Sequence, residues 1–154
     1  MLHLKRRTWD ELCRHAQDTF PEECCGVIVV NAAEEEEVRR IRNVQNVMHA
    51  QDPHHYPRDA TTAYFMDPKE LLAVIKEVDS GQVTLKAFYH SHPNHEAYFS
   101  AEDKTRAMFG DEPSYPDAAY LVIAIYDRAV RAIRAYRWDE ESRDFIETGV
   151  STVG

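Results

Sequence analysis

Tyr89-His90-Ser91-His92-Pro93, followed by Asn94-His95-Glu96-Ala97-Tyr98-Phe99-Ser100-Ala101-Glu102-Asp103, reads as the end of a strand, a short loop and the start of a helix. Residues 83–90 form an apolar and aromatic run of strand type, and Pro93 closes it. Alternation along an extended chain puts residues 90 and 92 on one face, about 6.6 Å apart along the strand, so two imidazoles can converge on one metal ion. Ser100 and Asp103 have capping-box spacing, which predicts a short helix over residues 100–109 with Asp103 in its first turn beside free amides. Two histidines and an aspartate make three protein ligands, the count of a catalytic zinc site that leaves its fourth position for water. A lone His-x-His in a chain with eight histidines is weak on its own, and Ser100 and Asp103 serve as cap and helix-dipole partner in any case.

The flanking sequence supplies a layered scaffold. Thr8-Trp9-Asp10-Glu11 has capping-box form, and Trp9, Leu12, Ala16 and Phe20 recur at helical spacing up to Pro21, predicting a first amphipathic helix. Residues 26–30 read as a buried strand and residues 38–44 as its hairpin partner, with the acidic run Glu34 to Glu37 at the solvated turn. Residues 45–61 hold no sustained period and are broken by Asp52-Pro53 and Tyr56-Pro57, so a long irregular segment is expected there. A short strand over residues 63–66 precedes Asp67-Pro68-Lys69-Glu70, which caps a helix ending at Ser80-Gly81. Residues 120–126 and 130–138 form a terminal hairpin turning at Asp127-Arg128, and Phe145 belongs to a further edge strand. This order predicts an α+β domain of α-β-α layers around a mixed central sheet flanked by helices.

Composition narrows the function classes. The 154 residues suit one domain with its own core, residues 1–154. Lys and Arg number 18 against 27 Asp and Glu, a formal net charge of -9, which argues against a protein that coats nucleic acid. The apolar runs are too short to span a bilayer, and no apolar core follows the basic residues at the N-terminus, so neither a membrane partner nor a secretory signal is expected and the cytoplasm is the default. Cys13, Cys24 and Cys25 read as reduced thiols that pack in the interior. His49, His54 and His55 are a second conceivable metal cluster, with solvated loop histidines the plainer reading. Other catalytic signatures fail: His95-Glu96 lacks the second histidine of a His-Glu-x-x-His pair because position 99 is Phe, and no P-loop or nucleophile elbow is present.

The string His90-Ser91-His92-Pro93 with Ser100 and Asp103 at these offsets resembles the metal motif of the JAMM (MPN-plus) zinc metalloproteases, which include deubiquitinating isopeptidases and smaller prokaryotic relatives. The resemblance extends to Pro21-Glu22-Glu23-Cys24-Cys25-Gly26, similar to the family's P-x-E-x-C-G segment, and to the element order of nearly the whole chain. It is nearest to the short-looped bacterial members that act on ubiquitin-like sulfur-carrier proteins, and position 99, often proline in the family, is Phe here. The resemblance implies a cytidine-deaminase-like MPN/JAB fold. It also implies one Zn2+ held by His90, His92 and Asp103, Glu23 rather than Glu22 as general base and then acid, and Ser100 as a hydroxyl that helps hold the developing oxyanion. The implied reaction is hydrolysis of a peptide or isopeptide bond after the glycine-ended tail of a ubiquitin-like or sulfur-carrier protein. Such a tail can add to a sheet edge, and residues 45–61 are expected to furnish a groove wall or partner contacts. The alternative is a catalytically silent MPN-type scaffold; a thiol hydrolase built on Cys24 or Cys25 has no local support beyond the residue types.

Overall fold

A computed structural model describes all residues 1–154. The elements are β1 (Leu2–Lys5), α1 (Arg6–Thr19), β2 (Cys25–Asn31), β3 (Glu36–Ile41), α2 (Gln45–Gln51), α3 (Pro68–Asp79), β4 (Val83–Pro93) and α4 (Ala101–Arg106). They continue with β5 (Met108–Phe109), β6 (Glu112–Pro113), β7 (Ala119–Tyr126), β8 (Ala129–Asp139), β9 (Asp144–Thr148) and β10 (Val150–Val153). Six strands make the central sheet in the order β3-β2-β4-β7-β8-β9. It is mixed because β4 and β7 run parallel while their other neighbours are antiparallel. The expected α+β layering is therefore the observed one.

Alternation along the strands sorts the core into two clusters. Leu121, Ile123 and Ile125 of β7, Ala87 and Tyr89 of β4 and Ile28 of β2 pack with Leu12 and Ala16 of α1. Val122 and Ala124 of β7, Phe88 of β4 and Val27 and Val29 of β2 lie on the other face with Val74 of α3 and Phe99 of the loop before α4. His90 and His92 follow Phe88 in register, so they belong to this second face, beside the strand β7 that covers β4 through Pro93.

Several local expectations need correction. Helix α1 starts at Arg6 with Lys5 as its cap and no side-chain cap bond, so the Thr8 capping box does not form. Residues 2–5 are instead a strand, paired in parallel with β10, and Thr8 is buried. The acidic run is not wholly solvated: Glu36 opens β3 and is 9% exposed. Its carboxylate binds Lys86 Nζ at 2.5 Å and accepts from the Lys5 amide at 2.9 Å, which shifts the second hairpin strand to Glu36–Ile41. Residues 63–66 form no strand beyond one bridge between Asn43 and Met66, because the Asn43 side chain takes over the ladder, accepting from Phe65 N at 3.0 Å and donating to Ala63 O at 3.2 Å. Residues 45–61 are not irregular throughout, since helix α2 opens them. The capped start of α3, with Asp67 accepting from Lys69 N at 2.9 Å, and the β7–β8 turn with φ of 51° at Asp127 and 65° at Arg128 are as expected. So is the strand around Phe145.

Gly26 is demanded by close approach. A Cβ there would lie 2.5 Å from both the Arg39 carbonyl oxygen and Tyr89 Oη. Tyr89 is fixed across it: burial pushes the His15 pKa down to about 4, and the neutral imidazole is hydrogen-bonded through Nδ1 to the Tyr89 hydroxyl at 2.6 Å. Backbone on one side and an anchored ring on the other leave no room to yield, so Gly26→Ala is expected to lower stability by about 1–3 kcal/mol, measured as the shift in urea or thermal unfolding midpoint.

Candidate metal centre

The cluster is assembled from the end of β4 and the start of α4. After Pro93 the chain turns at Asn94, with φ 58°, and the Asn94 amide donates to Ile125 O at 2.6 Å. The returning loop is pinned in the core by Phe99, whose ring lies 5.2 Å from that of Tyr120 and 5.3 Å from that of Tyr136, while the Tyr136 hydroxyl donates to Ala97 O at 2.6 Å. Phe99 is thus a core anchor that sets where the next helix starts. Ser100 and Asp103 then form the reciprocal capping box: Asp103 N donates to Ser100 Oγ at 3.0 Å and Ser100 N to Asp103 Oδ2 at 3.0 Å.

That same Oδ2 lies 3.2 Å from His90 Nε2 and 3.6 Å from His92 Nε2, and the two Nε2 atoms are 3.1 Å apart. His92 Nδ1 sits 2.8 Å from Glu96 O, so Nδ1–H donates to the carbonyl and Nε2 is left free to bind a metal. Tyr64 stacks on the His90 ring with centroids 4.5 Å apart. A tetrahedral ion with bonds of about 2.0–2.1 Å holds its ligands about 3.4 Å apart. The three separations bracket that value, so the donor set fits a tetrahedral divalent cation. Burial acts to raise the Asp103 carboxyl, but His90 and His92 and the Ser100 amide outweigh it and hold Asp103 well below the usual carboxylate range. Burial pushes the His90 pKa down. His90 and Asp103 are thereby driven toward the unprotonated form that coordinates a metal, whereas at His92 burial is outweighed by the Asp103 carboxylate and the Glu96 carbonyl and the pKa is raised, so a metal binding there displaces a proton.

Glu23 faces the same cavity, which has a volume of about 260 Å³ and is lined also by His92, Ser100 and Asp103. Its backbone is held at both ends, Glu23 N donating to Ala60 O at 2.8 Å and Asn43 Nδ2 to Glu23 O at 2.9 Å. Glu22 turns away and accepts from Asn46 Nδ2 at 3.0 Å. Burial pushes the Glu23 carboxyl up to about 8 against the pull of His92, with Asp103 adding to the rise. The five candidates Glu23, His90, His92, Ser100 and Asp103 therefore converge. His49, His54 and His55 do not: the only trio of metal-ligand type is His90, His92 and Asp103. Cys24, its thiol pushed up to about 12 by burial, and Cys25, also raised by burial, are unsuited to nucleophilic attack.

Residues 45–61 do reach the cavity, through Arg58. Arg58, Tyr64 and Arg106 also line it and were missed in the sequence. Arg106 had a usable signal, lying one turn after Asp103 on the same helix, whereas Arg58 and Tyr64 sit in segments without a period.

A family described as prokaryotic homologs of the JAB domain matches residues 5–141. Among curated proteins, the chain is 30% identical over 117 residues to a desampylase of Haloferax volcanii, covering 73% of each chain. It is 29% identical over 123 residues to a CysO-cysteine peptidase of Mycobacterium bovis, covering 80% of this chain and 73% of that one. Among solved structures, a protein of Desulfitobacterium hafniense matches with TM-score 0.70 and 22% identity over 99% of this chain and 93% of that one. A JAB1/MPN domain protein of Archaeoglobus fulgidus matches with TM-score 0.53 and 14% identity over 100% of both. These two likenesses bear on the fold.

The raised carboxyl of Glu23 has a stability consequence. Between about pH 4.5 and pH 8 the unfolded chain releases a proton that the metal-free folded protein keeps, so stability falls as pH rises through that window. Glu23→Gln has no proton to lose. Its melting temperature without metal is expected to exceed that of the wild type by a margin that widens from pH 5 to pH 8, read by thermal unfolding across pH.

Proposed function

The chain belongs to the prokaryotic JAB family of hydrolases, and on that premise we propose that residues 1–154 form one catalytic domain, a zinc-dependent metallopeptidase that cuts the bond after the C-terminal glycine of a ubiquitin-like or sulfur-carrier protein. The observation that carries the reading is the convergence of three donor atoms within 3.1–3.6 Å of one another, two of them from residues, His92 and Asp103, that line one cavity with Glu23. A silent scaffold has no use for a buried carboxyl aimed at three buried metal-type donors, since burial of such groups costs stability. Relatives named desampylase and CysO-cysteine peptidase support the substrate class. Three free cysteines support a cytoplasmic setting.

His90, His92 and Asp103 would hold the ion. Zn2+ so bound supplies a Lewis acid that brings the pKa of coordinated water down to about 7. Glu23 takes a proton from the attacking water as its oxygen adds to the glycine carbonyl carbon. As the C–N bond breaks, Glu23 passes that proton to the departing nitrogen, leaving a carboxylate on the tail and a free amine. A carboxyl whose pKa burial raises suits both halves of this transfer, being basic enough to accept and acidic enough to give back. The Ser100 Oγ accepts from the Asp103 amide, which leaves its own O–H to donate to the oxygen on which negative charge develops.

Elemental analysis is expected to find about one zinc per chain, lost in Asp103→Asn. Hydrolysis of a ubiquitin-like carrier fused through its Gly-Gly end to a peptide is expected to fall by about 10²–10⁴-fold in Glu23→Gln while zinc content is unchanged. Equal activity in that variant removes Glu23 from the mechanism. Zinc affinity should also drop as pH falls, because protons compete for the imidazoles, first for His92, whose pKa Asp103 and the Glu96 carbonyl raise against burial, and only later for His90, whose pKa burial lowers; a titration with a chelator at several pH values reads it.

A further inference from the structure

Beyond the catalytic groups, the cavity wall carries a cationic pair. Arg58 and Arg106 both line the cavity and both form ion pairs with Glu102, Arg106 at 3.2 Å. Arg106 is further tied to the Tyr64 carbonyl and lies 5.3 Å over the Tyr64 ring. Two guanidinium groups share one carboxylate, Glu102, on this wall, in a chain whose net charge is -9. Half of the Arg58 side chain is exposed, 47%, so its fork has donors to spare.

Position matters more than charge. The Arg58 carbonyl accepts from Gln45 Nε2 at 2.9 Å, and two residues on, Ala60 O holds the Glu23 amide. Arg58 is therefore rooted beside the backbone that positions Glu23. A leaving nitrogen that takes its proton from Glu23 must lie next to that carboxyl. In an α-linked amino acid the carboxylate carbon is about 2.5 Å from that nitrogen, from the standard N–Cα and Cα–C bond lengths and the angle between them. In an isopeptide the departing ε-amine has only a methylene stem nearby. Guanidinium forks beside Glu23 have an anion to bind in the first case and none in the second, and Arg is suited to grip a carboxylate through two parallel bonds.

We propose that Arg58, with Arg106 beside it, determines leaving-group specificity by binding the free α-carboxylate of a single amino acid joined through its α-amine to the glycine-ended tail. The Glu102 carboxylate occupies the guanidinium forks in the free enzyme and is displaced or joined by that of the substrate. This inference rests on the peptidase reading of the same cavity. In the reaction water adds to the amide carbonyl and the C–N bond breaks, the tail gains a carboxylate and the amino acid leaves with a free amine and its own carboxylate still paired to Arg58.

The test uses the zinc-loaded enzyme and a ubiquitin-like carrier ending in Gly-Gly-Ala, prepared as the free acid and as the α-carboxamide, together with the same carrier linked to a lysine ε-amine. Wild type is expected to hydrolyse the free acid with kcat/KM about tenfold or more above the other two, a preference that shrinks as salt is raised. Arg58→Ala is expected to bring the acid-to-carboxamide ratio close to one and Arg58→Lys to leave it in between, a change of ratio that loss of folding or of zinc does not produce. Equal rates on acid and carboxamide in the wild type overturn the proposal without any variant, and so does a ratio that survives Arg58→Ala; both leave the peptidase reading standing. No hydrolysis of any of the three substrates defeats that reading and this inference with it.

Discussion

Ser91, between the two histidines, is the joint on which the site depends. Its amide donates to Cys24 O at 3.0 Å and its Oγ accepts from Cys24 N at 2.8 Å, so main chain and side chain both grip the residue that follows Glu23. Ser91 is fully buried, and its neighbours in sequence point to the opposite face. One residue therefore fixes the spacing between two metal-type donors and a carboxyl from a distant part of the chain. β4 can carry this because it is central, paired with β2 on one side and with β7 on the other, and cannot shift without breaking both ladders.

The second economy is in Asp103, where one carboxylate oxygen closes the capping box of α4 and also faces both imidazoles. A six-residue helix has little stability of its own. Here its first turn is held by Ser100 and Asp103, its approach by Phe99, and the direction of the carboxylate follows from both. The electrostatics work in the same sense. Burial favours the neutral form of Glu23 while the histidines keep Asp103 charged, so two carboxyls in one cavity are driven toward different protonation states and hence different tasks.

Much of this was legible in the residues. His90, His92, Ser100 and Asp103 announce themselves because local rules, alternation in a strand and reciprocal capping of a helix, decide where their side chains go. The apolar stripe of α1 and the turn at Asp127-Arg128 are legible for the same reason. The Thr8 capping box was misleading because the first residues find β10, 148 positions away at His3 and Ser151, a pairing no local window contains. Residues 63–66 have strand composition, but Ala63 O and Phe65 N are met by the Asn43 side chain and Tyr64 O by Arg106, which leaves little of a backbone ladder beyond the bond from Val44 N to Phe65 O. Glu36 looked like part of an exposed acidic turn until Lys86 and the Lys5 amide claimed it.

Sequence alone determined the metal-type triad, the strand and helix that present it, and the layered mixed sheet, since each follows from periodicity and capping within a few residues. Tertiary structure alone decided that Phe99 anchors the loop into the core, that Arg58 and Tyr64 line the cavity, and that Glu23, preferred to Glu22 in the sequence only through the family resemblance, shares that cavity with His92 and Asp103 while Glu22 bonds Asn46. The reason is physical: these choices are set by hydrogen bonds and packing between segments far apart in the chain, such as Glu23 to Ala60, Cys24 to Ser91 and Phe99 to Tyr136, whose partners exist only once the sheet has formed.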